Sequence, residues 1–173
     1  MRHIFYITLI FILCGFSLAQ AENSAMKIST MAFAPESSIP AEYTCDGANT
    51  SPALSWQGAP EGTKSFALIV DDPDAPKGTW VHWVVYNISA DAQSLVAPLP
   101  ENIRQGKTSF GKSGYGGPCP PKGNTPHRYF FRLYALDNML NLPPETTDST
   151  ALKDAMEGHV LATAELMGRY GRQ

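Results

Sequence analysis

The stretch Trp80-Val81-His82-Trp83-Val84-Val85-Tyr86-Asn87 is dominated by β-branched and aromatic side chains. Such side chains crowd a helix and pack well on a pleated surface, so it predicts the strongest strand of the chain. A second stretch of similar make-up, His127-Arg128-Tyr129-Phe130-Phe131-Arg132, opens a predicted strand over 127–136. Proline and glycine cut the rest into short pieces. There are 14 of each in 173 residues, about 16% where roughly 12% is average. A chain that turns so often is not an all-helical bundle. Apolar residues at 43% supply a core, charged residues at 17% are too few for a disordered chain, and the length suits one domain.

Other elements fall between those two strands and the termini. Residues 26–34 read as a first strand, Ile28, Thr30 and Ala32 alternating against Ser29, Met31 and Phe33. Residues 35–56 are rich in turn formers and hold only short strands, and 60–63 is a turn. The apolar run 65–70 is a buried strand. Residues 71–76 (Asp71-Asp72-Pro73-Asp74-Ala75-Pro76) read as a loop, because each proline removes a donor and restricts its predecessor. A long Gly/Pro loop spans 102–126. From Thr150, apolar side chains at Leu152, Met156, Val160, Met167 and Tyr170, with Thr163 in step, recur every three or four residues and predict a helix. Asp148 or Ser149 caps its start, Gly158 inside it costs about 1 kcal/mol relative to Ala, and Gly168 and Gly171 loosen its end. The expected fold is mainly β: an antiparallel β-sandwich with a C-terminal helix packed on it.

The first residues read as an address. Arg2 and His3 precede an apolar run over 4–16, broken only by Thr8, Cys14 and Gly15, and Ala19-Gln20-Ala21 follows. That order is a secretory signal peptide over 1–21, cleaved after Ala21, and its apolar run is shorter than the roughly 20 residues of a spanning helix. The expected product is one domain over 22–173, exported to a periplasm or secreted, with no integral membrane segment after cleavage. It has 152 residues and a net charge of −4, and no basic excess to favour nucleic acid. Cys14 leaves with the signal. Cys45 and Cys119 remain, each in a turn-rich loop, and in an oxidising compartment they predict one disulfide. Closing its 74-residue loop would stabilise by at most about 4 kcal/mol in the chain-entropy view.

The chemistry candidates are histidines. Period-two geometry puts His82 on a face with Trp80 and Val84, and puts His127 and Tyr129 opposite Arg128 and Arg132. If His82 and His127 meet, two imidazoles, a phenol and the amides of Gly116-Gly117 are mostly donors and suit an anion such as phosphate. A neighbouring carboxylate would orient an imidazole and favour its charged form. Two alternatives stay open. His82, His127 and Asp72 or Asp74 form a legitimate zinc or iron set, or an acid–base hydrolase, although no H-E-x-x-H or G-x-S-x-G occurs. The chain could also be a protein-interaction module whose pocket is vestigial.

One literal match misleads. Gly106-Lys107-Thr108-Ser109-Phe110-Gly111-Lys112-Ser113 fits the phosphate-cradling G-x-x-x-x-G-K-[ST]. That loop works only between a buried strand and a helix N-terminus, and neither flank here has that character.

Several motifs together resemble the phosphatidylethanolamine-binding protein family, within it the bacterial branch described as Raf-kinase-inhibitor-like. They are Asp72-Pro73-Asp74-Ala75-Pro76 with Trp80-Val81-His82-Trp83, then Pro120-Pro121-Lys122-Gly123 with His127-Arg128-Tyr129. Cys45-Asp46-Gly47 with Ser51-Pro52, Gly62-Thr63-Lys64-Ser65 and Gly158-His159-Val160-Leu161-Ala162 extend the likeness over most of 22–173. The resemblance implies a β-sandwich with a small anion pocket. Asp72, His82, His127 and Tyr129 match its pocket residues, and Gly116 and Gly117 stand where its loop offers backbone amides. Arg128 is read as structural, paired with an acid among 71–74. The family implies binding of phosphorylated or head-group ligands rather than an established catalytic cycle. No catalytic residue, metal or cofactor is expected. The expected partners are a small phosphorylated or anionic ligand and, beyond it, another protein or a second copy in a homodimer; a signal peptide removes the chain from cytosolic kinases.

Overall fold

The structure, a computed structural model, describes residues 25–173; the predicted signal peptide lies outside them. In chain order come β1 (Lys27–Ser29), a 3-10 turn (Ala41–Tyr43), β2 (Leu54–Gln57), β3 (Ser65–Asp72), β4 (Trp80–Ser89), β5 (Ser94–Leu95), β6 (Arg104–Gln105), β7 (His127–Leu136), α1 (Ser149–Met156) and β8 (Val160–Tyr170). They form a three-stranded sheet, β1-β2-β5, and a five-stranded sheet, β6-β4-β3-β7-β8, with every neighbouring pair antiparallel.

β3 is buried at all eight positions because it is the central strand of the larger sheet and is covered on both faces. Its alternation splits the core in two. Phe66, Leu68 and Val70 pack between the sheets with Leu54, Trp56, Trp83, Phe131 and Leu133. Ala67 and Ile69 face the other way, onto Val84, Tyr86, Leu152 and Met156, so α1 roofs the outer face. The expected sandwich with a helix packed on it is the fold.

Several boundaries differ from the sequence reading: β4 runs on to Ser89, and β6 lies within the stretch 102–126 expected to be loop. The helix stops at Met156. Asp148 caps its start, its carboxylate accepting from the amides of Thr150 and Ala151, but Gly158 adopts φ +78°, a left-handed conformation that ends a helix. Residues 160–170 then form the longest strand. Ala164, Leu166 and Gly168 turn inward while Thr163, Glu165 and Arg169 stay exposed, a period of two. Val160 and Thr163, which completed the helical stripe, are both exposed. Tertiary pairing decides the matter, since β7 offers a continuous partner from His127↔Tyr170 to Ala135↔Ala162. Gly168 is needed for contact: a Cβ there would fall 2.6 Å from Ile39 Cγ1.

The first strand is three residues long rather than nine. The Thr30 hydroxyl donates to the Ala53 carbonyl and accepts the Ala32 amide, bending the chain so that Phe33 joins Ile28 in the core while Met31 is fully exposed. At the other end, Asp71 and Asp72 belong to β3, not to the following loop. Their alternation sends one carboxylate to each face of the sheet.

Candidate functional site

Asp71 and Asp72 part company on β3. Asp71 meets Arg132 on the helix side, and Arg132 also holds Glu165. Asp72 points to the end of the sandwich, where the His127 Nδ1–H donates to its Oδ2 at 2.8 Å. The other oxygen of Asp72 accepts the Asp74 amide at 2.8 Å. Asp74 in turn takes the Arg128 guanidinium through both oxygens, at 2.6 and 2.9 Å. That pairing holds the Asp74 carboxyl well down, to about 2. Neighbouring residues of β7 on opposite faces thus clasp Asp72 at the end of β3 and Asp74 in the loop after it, and Arg128 is paired with an acid among 71–74 as expected.

His82 reaches the same end by a different device. The register of β3 with β4 runs Val70↔Trp83 and then Asp71↔Val81, which leaves His82 as the extra residue of a β-bulge. The bulge turns His82 to the inter-sheet side, with Trp80. Val84, expected on that face, lies on the helix side instead, because simple alternation fails across a bulge. The His82 Nδ1–H donates to the Gly116 carbonyl at 2.6 Å, and the Gly116 amide returns a bond to the His82 carbonyl at 2.9 Å. Burial pushes the His82 pKa down, against the opposing pull of the Gly116 carbonyl and the Asp72 charge.

Asp72, His82 and His127 line one cavity of about 300 Å³. The residues separated by 55 positions in sequence therefore converge. In both rings Nδ1 is committed, and neither Nε2 has a hydrogen bond among the described residues. Tyr129 packs edge-on to His82, ring centroids 5.2 Å apart. Its hydroxyl is buried without a partner among the described residues, and burial with the nearby Asp72 charge pushes the phenol far above its ordinary range. Unlike the two histidines and Asp72, Tyr129 is not among the residues that line the cavity; it backs His82 from within the core.

The glycine amides need correction. The Gly116 amide is bound to His82, and the Gly117 amide donates to Asn49 Oδ1 at 2.7 Å. Neither is spare for an anion; the pair holds the wall, and Gly116 shapes the site through its carbonyl. The cavity's remaining walls are apolar, chiefly Pro76, Trp80, Phe110, Pro120 and Pro121. Phe110 escaped the sequence reading. It sits inside the misleading phosphate-loop match, where residues 106–109 run along β4 (Gly106 amide to Val84, Ser109 amide to Val81) and no helix follows. A lone aromatic in a turn of Gly, Lys and Ser has no local apolar cover, and that was the available signal.

The disulfide is present: Cys45 and Cys119 are bonded, Cα atoms 5.4 Å apart, and Cys119 itself lines the cavity. Among the described residues no cluster of three His, Cys, Asp or Glu side chains is placed to hold a metal, and the Asp72 carboxylate is spent on His127 and Asp74. His159 lies elsewhere, paired with Asp137 on the surface.

Comparison with known proteins agrees with this geometry. The sequence profile of the phosphatidylethanolamine-binding protein family matches residues 29–171. A UPF0098 protein of Methanothermobacter thermautotrophicus is 51% identical over 153 residues, covering 85% of this chain and 99% of that one. A UPF0098 protein of Aquifex aeolicus is 45% identical, covering 93% and 97%. Among solved structures, E. coli YBCL, described as a member of the mammalian PEBP family, superposes with a TM-score of 0.81 at 34% identity, over 87% of this chain and 100% of its own. A PEBP homologue from Chlamydia trachomatis gives 0.80 at 42%, over 86% and 99%. The chain belongs to the phosphatidylethanolamine-binding protein family.

Proposed function

We propose that the chain is an exported, non-catalytic binding protein whose cavity takes a phosphate-type anion, free or as a head group. The observation that carries the reading is the matched pair of imidazoles. Each is anchored through Nδ1, one on a carboxylate and one on a carbonyl, and each keeps Nε2 for a ligand. A charged imidazole presents Nε2–H as a donor. The Cys45–Cys119 bond supports an oxidising destination, as cleavage after Ala21 requires. Regulation of a partner protein would be a consequence of ligand occupancy.

The test is calorimetric titration of residues 22–173 with inorganic phosphate, phosphoethanolamine and phosphatidylethanolamine vesicles, which separates a free anion from a lipid head group. Affinity should fall as pH rises through the imidazole range, near 6.5 for an ordinary His. Loss of one charge-assisted hydrogen bond, about 1.5–3 kcal/mol, corresponds to roughly one to two powers of ten in affinity. A sulfate monoester, whose charge is constant, is the control. If its affinity is flat from pH 5 to pH 8 and unchanged in His127→Ala, the imidazoles do not read the anion. Intact mass of the exported protein checks the cleavage site.

A further inference from the structure

The imidazoles occupy one end of the cavity, and the rest of its surface is apolar. A bare phosphate would leave that surface wet. At about 300 Å³ the cavity is at the small end of the range for organic ligands, ~300–1,000 Å³. Something must set that width, and most of the wall cannot. Pro76, Pro120 and Pro121 carry rings tied to their own backbone, and Trp80 is fixed in β4 opposite Asp72. Phe110 is the exception.

The Phe110 ring stands edge-on to Trp80 and to His82, with centroid distances of 5.4 and 5.5 Å. Its backbone is pinned. The Thr108 amide and hydroxyl both donate to the Lys112 carbonyl, at 3.0 and 2.8 Å, and Gly111 takes φ +76° to close the turn. Ser109 exchanges bonds with Val81, amide to carbonyl and amide to hydroxyl. The ring rests on Gly116, where a Cβ would fall 2.7 Å from Phe110 Cδ2. A Cβ there would force the ring to move, and Phe110 is 40% exposed. The backbone is rigid, the slot is prepared, and only the side chain decides how far the wall extends.

Resting on the reading of the cavity as an anion site, we infer that Phe110 is its specificity-determining residue, admitting phosphomonoesters with a small organic substituent and excluding bulky aromatic ones. The anion meets the imidazoles, and the substituent lies against the Phe110 and proline walls.

The experiment compares the wild-type protein with Phe110→Ala, using inorganic phosphate, 1-naphthyl phosphate and uncharged 1-naphthol as probes. Phe110→Ala should raise the ratio of naphthyl phosphate affinity to phosphate affinity at least tenfold. Naphthol should gain in the same direction, which reads width without the anion. Equal changes for phosphate and naphthyl phosphate, or no gain for either naphthyl probe, would overturn the inference. Failure of the wild type to bind any phosphate at pH 5.5, with naphthol still gaining in Phe110→Ala, would instead overturn the anion reading and leave the width assignment standing. A melting-temperature cycle checks the slot separately. Gly116→Ala should destabilise the wild type clearly and the Phe110→Ala protein much less; additive losses would show that the ring does not occupy the space over Gly116.

Discussion

Two histidine–aspartate pairs in this molecule have the same length and opposite surroundings. His127 Nδ1 and Asp72 Oδ2 are 2.8 Å apart with both side chains 5% exposed; His159 Nδ1 and Asp137 Oδ1 are also 2.8 Å apart, at 44% and 45%. A distance criterion cannot tell them apart. Burial can, because an exposed pair competes with water and contributes about 0–1 kcal/mol, whereas removing one member of a buried pair leaves the other unpaired at a cost of about 3–5 kcal/mol. The buried pair also borders the cavity.

The largest expected effect tests that contrast directly. His127→Ala strands the Asp72 carboxylate with the Asp74 amide alone, and should lower unfolding free energy by about 3 kcal/mol. His159→Ala should cost less than about 1 kcal/mol. Urea denaturation of both variants at pH 7 measures it. Similar losses would mean that the end of the sandwich is wetter than its side-chain burial indicates.

The contrast was partly legible in the chain. His127 and Tyr129 stand at positions i and i+2 of an unmistakable strand, so their shared face followed from period alone. Alternation puts His82 on a face with Trp80 and Val84, and only Trp80 shares it, since the bulge that aims His82 depends on pairing with β3 and leaves no mark in residues 80–87. The 160–170 segment failed for a related cause. Val160, Thr163, Met167 and Tyr170 fit a helix, and Ala162, Ala164, Leu166 and Gly168 fit a strand; only the presence of β7 decides. The glycine amides were misjudged because their acceptors, the His82 carbonyl and Asn49, lie 34 and 68 residues away. Periodicity reports one element at a time, and each of these features belongs to a pair.

The disulfide sharpens the comparison at an intermediate magnitude. It ties the cavity wall at Cys119 to the loop at Cys45 and is far from the surface pair in function, though not in its effect on the unfolded chain. Cys45→Ser/Cys119→Ser should lose about 2–4 kcal/mol of stability and weaken phosphate binding several-fold, while amide exchange around His159 stays close to the wild type under native conditions. Unchanged affinity would show that the Gly117–Asn49 bond and the Cys45 amide to Pro118 carbonyl contact hold the wall unaided.

The smallest effect concerns the proton on His82. Burial lowers its folded pKa beneath the ordinary value, near 6.5, so the sign for stability is determined. Above about 6.5 the ring is neutral in both folded and unfolded chains and costs nothing. As pH falls below that value, the unfolded chain takes the proton more readily, and the folded state loses stability. An anion beside Nε2 reverses the preference, because it favours the imidazolium and raises the pKa of the bound state. Binding a sulfate monoester at pH 7 should therefore draw a fraction of a proton from the buffer, and titration in two buffers of different ionisation enthalpy reads that fraction. It should shrink in His82→Gln, and the same ligand should restore part of the melting temperature lost between pH 7 and pH 5.5 in the wild type. If His82→Gln takes up as much proton as the wild type, the linkage belongs to His127 and its carboxylate alone, and the two imidazoles of the cavity divide their work as donor and bystander.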